Sequence, residues 1–135
     1  GRYLFDNTLR RADNPDRFMT VASSGPLWWK KSVLRQRSNA GETLVVHLVN
    51  PPMERAIEDN TTSNLPAQVR DVIVSLRVPE GRKEVRAWAL TSESWKSGDA
   101  PVTQAVPLQV RRDGDKAVVS LPEVLFWKVV VYNFN

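Results

Sequence analysis

From Phe18 to the end of the chain, apolar and polar residues alternate in short runs separated by turn-forming residues. That pattern marks half-buried strands. Strands are predicted at about 17–22, 27–37, 43–50, 71–78, 85–91, 105–112, 116–121 and 126–134. In the run at 71–78, Val72, Val74, Leu76 and Val78 share one face, while Ser75 and Arg77 take the other. Val106, Leu108 and Val110 repeat the pattern, and Ala117, Val119 and Leu121 are expected to face inward. The separating turns read "SSGP" at 23–26, "SNAGE" at 38–42, "PEGRK" at 79–83 and "RDGDK" at 112–116. In the last of these, Asp113-Gly114 is a strong hairpin signal. The runs at 43–49 and 126–134 are apolar on both faces, as expected of central strands covered on both sides. Pro51 and Pro52 end the first of these, because proline cannot donate to a ladder.

Upstream, Tyr3, Leu4, Leu9 and Ala12 fall at helical spacing, so a short helix is predicted over 2–12. "DNPD" at 13–16 closes it, since proline disfavours helix in the residue before it. Many short strands, polar turns and little helix give an all-β fold. We expect a two-sheet antiparallel, immunoglobulin-like β-sandwich of about eight strands with a short N-terminal helix, divided into a helical lead-in over 1–16 and a sandwich over 17–135. The connections at 51–70 and 91–104 are longer than a sandwich needs, and long loops often carry function or pack on a neighbour.

The 135 residues suit one domain with a sizeable core. The absence of cysteine excludes disulfides, thiolate metal sites and a cysteine nucleophile. No apolar run is long enough to cross a membrane as a helix, and no signal-peptide pattern is present. The chain opens on Gly1, which suggests a fragment or a processed chain. The net charge of +4 comes from dispersed basic pairs such as Arg10-Arg11, Lys30-Lys31 and Arg111-Arg112. Acids are interleaved with them at Asp13, Asp16, Glu42, Asp113 and Asp115. A nucleic-acid surface concentrates its positive charge, so neither nucleic acid nor membrane is expected as a partner.

Three segments together resemble a known family. "LVVHLVNPP" resembles the His-Leu-Val/Ile-Asn strand ending of small β-domains that follow sugar-cleaving catalytic barrels. "DVIVSLRVPEGRKEVRAWAL" resembles the strand pair that comes next there, and "AVVSLPEVLFWKVVVYNF" the closing hairpin. Order and spacing fit as well, over roughly residues 27–134. The family resembled is the C-terminal β-sandwich accessory domain of glycoside hydrolases of the dextranase type. The resemblance implies a non-catalytic domain packed against the catalytic domain of its parent enzyme, with oligomerisation and polysaccharide contact as further options. It also implies secretion or a periplasmic location. In such enzymes the catalytic carboxylates lie on the barrel, for which this chain has no room. Residues 2–12 resemble the end of the barrel's last helix. The chain departs from the dextranase pattern at 51–70, which contains no tryptophan, so no sugar contact carries over there.

Candidate chemistry centres on one histidine and three tryptophans. His47 has no nearby nucleophile or orienting acid in the sequence, and a metal site would need further ligands. It is expected to be a scaffold residue whose nitrogens bond to carbonyls or a loop hydroxyl. Exposed aromatic rings stack on the apolar faces of sugars, and Trp95, Trp28 and Trp29 are the candidates for such a platform. Trp95 lies in the polar stretch "TSESWKSGD" and is the best single candidate. Adjacent residues in a strand point to opposite faces, so one of Trp28 and Trp29 is expected in the core. Alternatively, one of them packs on the helix or on a catalytic barrel. Trp88 and Trp127 are expected in the core or between the sheets. Glu54, Glu58, Asp59, Glu93 and Asp99 lie in the long connections, where carboxylates are usually solvated. A glycosidase pair would need two of them about 5–10 Å apart across a cleft. Asp59-Asn60 falls well short of a calcium loop. No catalytic residue, metal or cofactor is expected.

Overall fold

The computed structural model describes residues 10–38, 41–50, 69–91 and 104–135. Among these, ten strands form two antiparallel sheets. They are β1 (Arg10–Arg11), β2 (Met19–Ala22), β3 (Val33–Arg37), β4 (Glu42–Val49), β5 (Val69–Arg77), β6 (Val85–Thr91), β7 (Gln104–Leu108), β8 (Arg111–Asp113), β9 (Lys116–Val124) and β10 (Trp127–Phe134). One sheet has the order β1-β3-β4-β10-β6-β7 and the other β2-β5-β9-β8.

Alternation in the sequence sets the core. From β4, Leu44, Val46 and Leu48 turn inward, and from β10 Val130, Tyr132 and Phe134. Val72, Val74 and Leu76 of β5 meet them from the other sheet, with Ala117, Val119 and Leu121 of β9, in one continuous apolar cluster. Each valine, leucine or phenylalanine side chain among them, fully buried, contributes about 1.5–3 kcal/mol. The expected central strands β4 and β10 lie side by side in the middle of their sheet, with Val46 opposite Val130 and Leu44 opposite Tyr132. Small residues of β6, Ala87 and Ala89, face Tyr132 and Val130 and make room for them.

Several local details depart from simple alternation. Asp71 adopts a left-handed backbone with φ 52°, opposite the interval in the ladder left by Pro122. Buried positions then shift from a spacing of two to three on both strands, so that Val69 joins Val72 and Val124 joins Leu121. Aspartate tolerates this conformation better than most residues. In the β8–β9 hairpin, Asp113 pairs with Lys116 and Gly114 takes φ 61° at the first turn position, where a type II′ turn needs glycine.

The predicted run at 105–112 is two strands. β7 belongs to the six-stranded sheet and β8 to the four-stranded one, with residues 109–110 crossing between them. Pro107 suits the edge position of β7. The run at 27–37 also shortens. Only Val33–Arg37 forms a ladder, because residues 29–32 turn, with the Ser32 amide donating to the Trp29 carbonyl at 2.9 Å. Upstream, Arg10–Arg11 pairs with β3, so the end of the expected 2–12 helix is a strand, and the remainder lies outside the described residues. Asn14 is left-handed and Pro15–Arg17 forms one 3₁₀ turn.

A buried carboxylate locks the β3–β4 hairpin. Glu42 accepts from Arg37 Nε at 2.8 Å and lies 3.9 Å from Arg35 Nε. The Arg35 guanidinium sits 4.8 Å over the Phe18 ring. Burial holds Arg35 below the ordinary guanidinium range, with Glu42 opposing the shift and Arg37 adding to it.

Candidate functional site

The outer face of the six-stranded sheet is unusually apolar. A sheet with one solvated face normally lines it with polar groups. Here the register places Leu34, Val45, Val131, Trp88 and Pro107 in one transverse row from β3 to β7. The next row carries His47, Val129, Leu90 and Ala105. A polar row of Gln36, Thr43, Asn133 and Arg86 bounds one end.

The opposite end is aromatic. Beyond β3, Trp28 forms a single bridge with Val49, which pairs on its other side with Trp127. Directly bridged residues project to the same face, so both indoles flank Val49 on the outer side. Trp28 is 61% exposed and Trp127 37% exposed, and the neighbouring Phe126 is 50% exposed. Residues 27–32 line a cleft of about 450 Å³ beside Trp28, with Lys30 and Lys31 at its polar margin.

His47 belongs to this end. Its strand alternates between buried positions 42, 44, 46 and 48 and half-buried positions 43, 45, 47 and 49. The half-buried ring therefore lies on the outer face of this central strand. Among the described residues its side-chain partner is an indole: Trp127 Nε1 donates to His47 Nδ1 at 3.2 Å. The two rings are near-parallel, inclined by 27° with centroids 5.9 Å apart. Nδ1 is thus the acceptor nitrogen, and the bond fixes the Trp127 ring orientation.

The sequence-predicted tryptophans separate. Trp28 is on the surface, and Trp29 is half-buried against the core. Trp95 lies outside the described residues, as do Glu54, Glu58, Asp59, Asn60, Glu93 and Asp99. Trp88 and Trp127 correct the expectation of core positions. Both sit on the outer face, because it is Ala87, Ala89, Val130 and Tyr132 of their strands that turn inward. Trp127 is the surface residue that sequence reasoning missed. Among the described residues no group of three His, Asp or Glu side chains could hold a metal.

Comparison with known proteins adds a fold likeness. No protein-family model and no curated protein matches the chain. Among solved structures, the chain is similar to part of a Paenibacillus sp. cycloisomaltooligosaccharide glucanotransferase complexed with cycloisomaltoheptaose. That match has a TM-score of 0.52 and 15% identity, covering 91% of this chain and 17% of the other. An α-L-fucosidase isoenzyme 2 from Paenibacillus thiaminolyticus matches at TM-score 0.48 and 16% identity, over 86% of this chain and 15% of its own. The chain therefore spans less than a fifth of either protein. At these identities the likeness is one of fold.

Proposed function

We propose that the chain is a non-catalytic accessory β-sandwich of a larger carbohydrate-active enzyme and packs against the catalytic domain of that enzyme. The observation that carries the proposal is the apolar row Leu34–Val45–Val131–Trp88–Pro107 across the outer sheet face. A row of this kind suits a face covered by another layer of protein. The fold likeness to a small part of a long glucanotransferase chain supports the same reading, as do the three sequence segments that resemble the dextranase-type sandwich. The test is the coding sequence on either side of these residues. A sugar-cleaving or sugar-transferring catalytic domain is expected there, and a gene that encodes only this sandwich overturns the proposal.

A second reading, a carbohydrate-binding module, is favoured by one specific observation: Trp28 stands 61% exposed on the same face as a second exposed indole.

A further inference from the structure

We infer that Trp28 and Trp127, with His47 as a positioning residue, form a stacking platform for a neutral pyranose chain at the aromatic end of the six-stranded sheet. The inference rests on the carbohydrate-binding reading above and gives it a site.

Strand spacing sets the geometry. Trp28 and Trp127 are each bridged to Val49 from opposite sides, so their backbones stand about 9–10 Å apart, two interstrand intervals. Valine is much smaller than tryptophan and leaves the two indoles standing above a low apolar floor. The two indoles are therefore spaced to take one sugar ring each. An apolar sugar face stacks on an aromatic face, while its hydroxyls stay at the wet margin. Lys30 and Lys31, at the margin of the adjoining cleft, supply donors for those hydroxyls.

His47 gives the platform its rigidity. A tryptophan on an open sheet face has several rotamers, and ordering it on binding costs free energy. The bond from Trp127 Nε1 to His47 Nδ1 at 3.2 Å selects one orientation before ligand arrives. The near-parallel imidazole then extends the plate. Neutral sugar is the occupant that fits, because Trp28, Val49 and Trp127 present uncharged apolar surface on which a sugar face stacks. A protein partner is a different occupant, and the test separates the two.

The whole chain is titrated with dextran, maltohexaose, laminarin and cellohexaose, read by tryptophan fluorescence and by calorimetry. Binding of at least one of these probes is expected. Trp28→Ala and Trp127→Ala should each weaken it about tenfold or more, equivalent to about 1.4 kcal/mol. Ile73→Ala, exposed on the other sheet, should leave it unchanged. His47→Leu should weaken it several-fold, and His47→Gln, whose amide oxygen can accept the indole N–H, should restore it. Thermal unfolding of each variant confirms that the folded fraction is being compared. The inference is overturned if none of the four probes binds, or if binding survives Trp28→Ala. It is also overturned if Trp28→Ala weakens attachment to a neighbouring catalytic domain and changes no sugar affinity. The first of these outcomes leaves the accessory-domain proposal standing, because that is decided by the flanking coding sequence.

Discussion

Tyr132 shows how one side chain can fill a core well and satisfy it poorly. Its ring lies parallel to that of Phe134, with centroids 6.1 Å apart and 5° between planes. Its hydroxyl is buried and makes no hydrogen bond. A buried polar atom in that state costs about 1–3 kcal/mol. Burial also pushes the phenol well above its ordinary pKa of 10.0. The folded chain thus keeps the Tyr132 proton at a pH where the unfolded chain releases it. The stability linked to this group is complete below pH 10 and falls as pH rises beyond it. Tyr132→Phe should therefore leave stability at pH 7 unchanged or raise it by about 1 kcal/mol, and should flatten the alkaline loss. Urea unfolding at pH 7 and above pH 10 checks both, and a variant clearly less stable at pH 7 would show that the hydroxyl has a favourable partner. The apolar character of position 132 was legible in the sequence; its unpaired hydroxyl was not, because that depends on what lies across the core.

Trp127 escaped sequence reasoning at the scale of its strand. In the run 126–134 one parity carries Lys128 and the other Asn133, so the two polar markers cancel and neither face declares itself. The inward parity proves to be that of Lys128, which sits at the rim of the sandwich. Its stem lies beside the core, and Nζ reaches out to donate to the Glu123 carbonyl at 2.6 Å. Strands with one polar face were legible where alternation is regular, at Val72, Val74 and Leu76 of β5 and on the inward side of β9 at Ala117, Val119 and Leu121, but not at the break around Asp71 and Pro122. Crossovers between sheets were not, because alternation continues through residues 109–110 while the hydrogen-bonding partner changes. Close approaches between elements are hidden for the same reason. Gly41 opens β4 against the end of β10, where a Cβ would collide with the Phe134 carbonyl and crowd the Asn135 side chain. The backbone of β10 cannot move there without disturbing its pairing with both β4 and β6. Gly41→Ala should cost about 1–3 kcal/mol by overpacking, read as a lower urea midpoint with an unchanged slope. An unaffected midpoint would mean that the β3–β4 turn shifts freely away from β10.

At the scale of the molecule, the two faces of the six-stranded sheet pose different problems for the sequence. The inner face is specified by Leu44, Val46, Leu48 and their partners, and sandwich packing explains it fully. The outer face is just as apolar along its middle row, yet nothing among the described residues requires that. The sequence therefore shows the row only as two doubly apolar strands, and the register is needed to align them. The proposed explanation is a second body packed on the row, and it can be tested without disturbing the core. Val45 and Val131 are paired in the middle of the row, both half-buried. Changing both to threonine keeps the β-branch that suits a strand and introduces hydroxyls only on the outer side. In the isolated chain the double variant should unfold within about 1 kcal/mol of the parent, since substitutions outside the core are mild. In the longer protein the same change should separate the unfolding of the sandwich from that of the catalytic domain in calorimetry, because the hydroxyls are buried there without partners. A large loss in the isolated chain, with no change in the longer protein, would mean that the row is covered from within the sandwich and that the packing surface lies elsewhere.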